Sequence, residues 1–227
     1  MRARDYHLPA LPHWHKVHRG EPRWPVSFVV ALVIFLQYTL PAHYSLKSQN
    51  WICLIEALLA LALFAWNPGR IKGHKQSRWY IGIALSAVMT FSNIASSVHL
   101  VRELLNGTAT SPNNLLAAGG SIWLTNIIAF SLWYWEFDRG GPGARAQALD
   151  PYPDFLFPQM QSPELAPLSW APNYFDYLYI SVTNASAFSP TDTLPLSRWA
   201  KTLMTIQSTT SLVTVGLVIA RAVNILK

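Results

Sequence analysis

The sequence predicts an all-α, polytopic membrane protein with five transmembrane helices plus a re-entrant or short sixth membrane segment. Three observations carry this. Hydrophobic residues make up 51% of the chain and charged residues only 12%, and mean hydropathy is positive at +0.20. The apolar residues gather in runs close to the roughly 20 residues that a helix needs to cross a bilayer. Lys and Arg cluster in the short stretches between those runs, which is how positive-inside sorting distributes them.

The same distribution excludes some functions. The net charge of +6 sits beside apolar runs and forms no basic soluble domain, so nucleic acid is not an expected partner. The single cysteine, Cys53, lies inside an apolar run, which leaves no disulfide framework and no thiolate metal cluster. Nucleophile-elbow, His-Glu-x-x-His, phosphate-loop and dinucleotide signatures are absent. No enzymatic activity, cofactor or metal is expected.

Residues 1–24 form a basic tail that carries His13, His15 and His18. No fixed scaffold or carboxylate partner accompanies these histidines, so a solvated tail is expected rather than a metal site. Residues 25–137 hold four helices. The first spans 25–44, with Trp24 and Tyr44 as interfacial anchors. The second spans 49–66 and stops at Asn67-Pro68-Gly69, because Pro and Gly break helical continuation.

The third, 79–105, carries a polar seam. Ser86, Thr90, Asn93 and Ser97 share one helical face, and Ser92, Ser96 and His99 share an adjoining one. Such seams let membrane helices approach and hydrogen-bond; a water- or substrate-lined groove is the alternative. The fourth helix, 115–137, holds Asn126 mid-span and ends on Glu136, Asp138 and Arg139, read as a local ion-pair cluster.

Residues 138–172 are a Pro/Gly-rich interfacial connection punctuated by Tyr152, Phe155, Phe157 and Trp170. A connection this long is functional or disordered, and its aromatic content points to a cap on the membrane surface or over the helix bundle. The last span, 196–226, is rich in hydroxyls near its start. The candidate polar lining is Asn93, Ser97, His99, Asn126, Thr205 and Gln207. Ionisable residues inside spans are costly and suggest function, which makes Glu56 and Arg102 a candidate intramembrane ion pair, with His99 as the other available partner.

Placing the N-terminus in the cytoplasm puts most basic residues on that side and leaves Lys47, Arg102, Arg221 and Lys227 on the other. The asymmetry is the same whether 173–190 is re-entrant or spanning. The expected location is a cell membrane, the bacterial inner membrane.

Residues 173–227 carry the most distinctive pattern. Asp176 is followed by Tyr179, Ser181 and Thr183, then by Asp192 and Pro195. This spacing resembles the pore loop and inner helix of two-helix potassium channels. The five positions that would form the filter read Ala187, Phe188, Ser189, Pro190 and Thr191. A potassium filter needs glycines for its unusual backbone angles, and Pro190 restricts both itself and Ser189. The chain is also similar to a family of bacterial inner-membrane proteins with a comparable filterless loop.

The resemblance implies a homo-oligomeric, channel-like or transport-related protein that meets lipid and a small ion without potassium selectivity. In a five-span layout, however, the loop enters from the cytoplasm, opposite to potassium channels. The residues alone also fit an interfacial helix, a Ser-Pro-Thr-Asp turn and a membrane helix. The alternative function is a non-conducting scaffold or regulatory partner. A channel expects water along the hydroxyl faces of the third and last spans; a scaffold expects those faces dry and packed.

Overall fold

The computed structural model describes residues 12–41, 48–66, 69–71, 75–106, 111–187 and 192–226, side chains 66, 225 and 226 excepted. Helices α1 (Trp24–Tyr38), α2 (Gln49–Trp66), α3 (Gln76–Leu105) and α4 (Pro112–Phe137) run up and down in sequence order. Helices α5 (Pro142–Ala146) and α6 (Pro158–Gln161) are short, and α7 (Tyr174–Ala187) and α8 (Arg198–Leu226) complete the bundle. Three helical segments are long and apolar enough to cross a membrane: Gln76–Leu105, Pro112–Gly140 and Arg198–Asn224. The first two helices are apolar but shorter.

Element ends follow local chemistry. Helix α1 stops at Tyr38, six residues before the expected end of the first span at 44. Thr39 turns its hydroxyl back onto the Phe35 and Leu36 carbonyls, and Pro41 disfavours helical angles at Leu40. Residues 42–44 lie outside the described residues. Helix α4 starts earlier than expected, because Pro112 is tolerated in a first turn and the Ser111 hydroxyl accepts the Asn114 N–H at 3.5 Å.

Helix α4 is the centre, packed against α1, α3, α7 and α8. Around its second half lies the larger core, where Phe130, Tyr134 and Trp135 meet Val33, Phe155 and Tyr177. A smaller core at the opposite end joins Leu100, Leu104, Leu115, Ile122 and Val218.

Four segments meet at one end of the bundle. Strand β1 (Glu21–Pro22) pairs antiparallel with β2 (Arg70–Ile71), and the His18 N–H reaches the Ala146 carbonyl at 3.0 Å. Strand β3 (Phe155–Leu156), in the Pro/Gly-rich connection, pairs with β4 (Leu194–Pro195), just before α8. The turn after α4 requires glycine at Gly141, whose φ is +92° and whose Cβ would strike the Glu136 carbonyl and the Trp79 ring.

Residues 12–23 therefore correct the expectation of a solvated tail. Trp14, Glu21 and Arg23 are buried, because the strap supplies an aromatic ring and a carboxylate that the bundle end needs. The 138–172 connection folds over the bundle end, not outward as a separate unit.

Helix α7 decides the topology at the C-terminal end. It starts beside the end of α4, where Tyr174 meets Ser131 at 2.7 Å. It then runs into the bundle until the Ala185 carbonyl accepts from Ser211 at 2.6 Å, 13 residues into α8, or roughly 20 Å along it. By Leu194 the chain is back at the starting end, paired with Leu156. Helices α7 and α8 thus enter from the same end and run in the same direction.

Candidate functional site

Gln207 is the hub where α4, α7 and α8 converge, and it is fully buried. Its amide nitrogen donates to the Ser181 carbonyl at 3.0 Å and the Ser181 hydroxyl at 2.6 Å. Its amide oxygen accepts from the Tyr134 hydroxyl at 2.6 Å and from Asn184 Nδ2 at 2.8 Å. Asn184 also donates to the Met204 carbonyl, and Ser181 to the Ile127 carbonyl. One turn deeper, Trp123 donates to Ser211 at 2.7 Å. A buried amide needs its partners, and here they come from two other helices, α4 and α7, so the network fixes α7 against its neighbours.

A second network seals the end from which α7 enters. Arg145 forms an ion pair with Glu21 at 2.7 Å and donates to the Trp135 and Asp138 carbonyls. The second Glu21 oxygen accepts from Trp135 Nε1 at 2.5 Å. Burial disfavours the Arg145 charge, but Glu21, Tyr177 and Asp138 outweigh it and hold the guanidinium above its ordinary pKa. Asp138 accepts from the Tyr177 hydroxyl and the Asp154 N–H, and Asp154 accepts from Trp199 at 2.9 Å.

Arg139 sits beside this pair with φ at 53°, a left-handed angle that is uncommon for a residue with a Cβ. Its side chain is anchored on the Asp150 carbonyl at 2.7 Å and the Trp14 carbonyl at 2.8 Å. Glu136, Asp138 and Arg139 are therefore not one local cluster. Asp138 and Arg139 staple different segments to the cap, and Glu136 lies against Gly82 of α3, where a Cβ would overlap its carboxylate.

A third polar group lies between α1, α2 and α3. Gln37 Nε2 donates to Glu56 Oε1 at 3.3 Å, while the Gln37 oxygen accepts from Gln49 at 3.0 Å and Ser92 at 3.2 Å. Glu56 Oε2 and Gln49 Oε1 are buried without a hydrogen-bond partner. This corrects the expected Glu56–Arg102 pair. Arg102 is exposed near the end of α3, whereas Glu56 is wholly buried. A long cation with access to the surface stays there.

The remaining sequence candidates divide. Asp176 caps the start of α7 by accepting the Asn173 N–H at 2.7 Å, and Tyr179 is exposed. Thr183 bonds back to the Tyr179 and Ile180 carbonyls. Ala187 ends α7 and Asp192 is exposed, but Phe188, Ser189, Pro190 and Thr191 lie outside the described residues. Asn126 reaches the Gln207 carbonyl at 3.4 Å, which joins two of the candidates.

Asn93 and Ser97 are buried in the α3 seam, His99 is half-buried and Thr205 is exposed. Those four do not join Gln207. Thr205 instead returns its hydroxyl to the Lys201 carbonyl.

Sequence reasoning missed Tyr134, Asn184, Gln37, Glu21 and Arg145 as site residues. Gln37 carried a usable signal, an amide inside an apolar helical run, whereas Asn184 stands among Thr183, Ala185 and Ser186 and carried less. Glu21 and Arg145 stand 124 residues apart and carried none. No known protein family, curated protein or solved structure matches the chain.

Proposed function

We propose that the chain is a channel-like or transport-related integral membrane protein of pore-loop architecture, without a potassium-selective filter. Helices α1, α2, α3, α4 and α8 span, and α7 is re-entrant. One observation carries this: α7 enters from the cap end, reaches Ser211, and the chain returns to the same end by Leu194. At 14 residues, α7 is roughly 21 Å long, short of a hydrocarbon core of about 30 Å. Short α1 and α2 are accommodated by local thinning and by flanking residues that snorkel.

The cap end faces the cytoplasm of a bacterial inner membrane, because its strap and loops carry Arg23, Arg70, Lys75, Arg78, Arg198 and Lys201. Thr202, Thr205 and Thr209 are exposed along one side of α8. This hydroxyl stripe supports a path formed between copies of the chain.

A non-conducting scaffold is the second reading. It is favoured by the satisfied network at Gln207 and Ser211, which packs the buried side of α8 against protein.

Purified protein in liposomes, assayed for potassium, sodium, proton and chloride flux, separates the two. The channel reading expects flux that changes when residues 187–191 are replaced by a Gly/Ser segment. Folded protein that carries none of these ions in either orientation supports the scaffold.

A further inference from the structure

We propose that the slot between α1, α2 and the start of α3 binds one anionic phospholipid of the leaflet at the cap end. The proposal rests on the membrane reading above and adds a ligand to it.

Two cavities make the slot. The first, about 330 Å³, is apolar and lies between Val26, Val30 and Ile34 of α1 and Ala57, Ala60 and Phe64 of α2. It exists because small residues stand where larger ones would close the seam: Ser27 and Ala31 on one helix, Ala57 and Ala60 on the other. The second, about 40 Å³, lies at the cap end between Arg23, Lys75, Arg78, Trp79 and Glu136. Arg23 and Leu63 line both cavities, so the polar pocket adjoins the apolar groove at its cap end.

The dimensions match one leaflet. Arg23 and Ile34, the ends of the groove on α1, are separated by 11 residues of chain, or roughly 16 Å of helix. Half of a hydrocarbon core of about 30 Å is about 15 Å. An acyl chain lying in the groove therefore places its headgroup level with the second cavity.

The charge matches too. Three cations, Arg23, Lys75 and Arg78, meet one carboxylate, Glu136. Lys75 is exposed, so it can follow a phosphate, while half-buried Arg78 and buried Arg23 line the pocket wall. A headgroup with a net negative charge offsets this excess, whereas a zwitterionic one brings a choline or ethanolamine cation into it. Basic pockets between membrane helices on the cytoplasmic side are suited to anionic headgroups for this reason.

The test uses full-length protein reconstituted in vesicles of phosphatidylglycerol and phosphatidylcholine in equal parts. An alkaline wash first scores membrane insertion. Washed protein is then extracted in mild detergent, and retained phospholipid is identified by native mass spectrometry. Two variants accompany it: Lys75→Gln, which removes an exposed charge, and Ala60→Trp, which fills the groove.

The expected result is one phosphatidylglycerol retained at least fivefold over phosphatidylcholine. Lys75→Gln should lower that preference severalfold, and Ala60→Trp should abolish retention while helicity by circular dichroism is unchanged. Protein removed by the alkaline wash overturns both the membrane reading and this site. Inserted protein with equal retention of the two lipids, or a preference that survives both variants, overturns the site alone.

Discussion

At Gln207 a single side chain makes four hydrogen bonds to three residues on two other helices, and its worth follows from what its loss would strand. In Gln207→Leu the Tyr134 hydroxyl, the Asn184 amide and the Ser181 hydroxyl each lose a partner while remaining buried. A buried group left unsatisfied costs about 1–3 kcal/mol, and interhelical hydrogen bonds inside membrane proteins are worth about 0.6–2 kcal/mol. Gln207→Leu should therefore lower stability by about 1–3 kcal/mol, read from denaturant unfolding in detergent micelles. A loss within about 0.5 kcal/mol of zero would show that the network is incidental to packing. Asn126 was legible as an amide inside an apolar run, and Gln207 as an amide in the hydroxyl-rich start of the last helix. Their shared use was not, because the period of α8 says which residues share a face and not which helix that face meets.

At the scale of elements, the strap from Pro12 to Pro22 is held to the bundle by Glu21 and by His18. Breaking a buried ion pair by removing one partner costs about 3–5 kcal/mol, since the other charge is left uncompensated. Glu21→Ala should cost that much in thermal unfolding, and Glu21→Gln less, because it still accepts from Trp135. A loss below about 1 kcal/mol for Glu21→Ala would mean that Arg145 finds another partner.

His18 adds a dependence on pH. Its Nδ1 accepts the Gly20 N–H at 3.1 Å, which requires the neutral ring, and burial first of all lowers its pKa below the ordinary 6.5. The unfolded strap then binds more protons than the folded one, so the His18 contribution is present above about pH 6.5 and is lost as pH falls further. Hydrogen exchange at the Gly20 amide, corrected for the intrinsic rate, should accelerate between pH 7 and pH 5. In His18→Gln that acceleration should vanish, and if it persists the histidine is not its source. The strap was misread as solvated because its partners, Arg145 and Ala146, stand more than a hundred residues away in the chain.

For the whole molecule, the sequence carried the helices more fully than their arrangement. The second helix, 49–66, was legible to the residue as a helix because Gln49 opens an apolar run and Pro68-Gly69 closes it. Whether α7 crosses or returns was not legible, since the charge asymmetry is equally large in either layout, Arg198 and Lys201 merely exchanging sides with Arg221 and Lys227. The pairing of Leu156 with Leu194 places Leu194 at the cap end of the bundle, and accessibility measurements decide how α7 sits in the membrane. The native thiol, Cys53, is buried, so the wild type is a silent background for an impermeant maleimide. Lys16, Leu168, Asp192 and Asn113 are exposed, and each is a site for a single cysteine. With α7 re-entrant, Lys16→Cys, Leu168→Cys and Asp192→Cys should all be labelled from one face of sealed vesicles, and Asn113→Cys from the other. If α7 crosses instead, Asp192→Cys joins Asn113→Cys, and the pore-loop reading loses the observation that carries it.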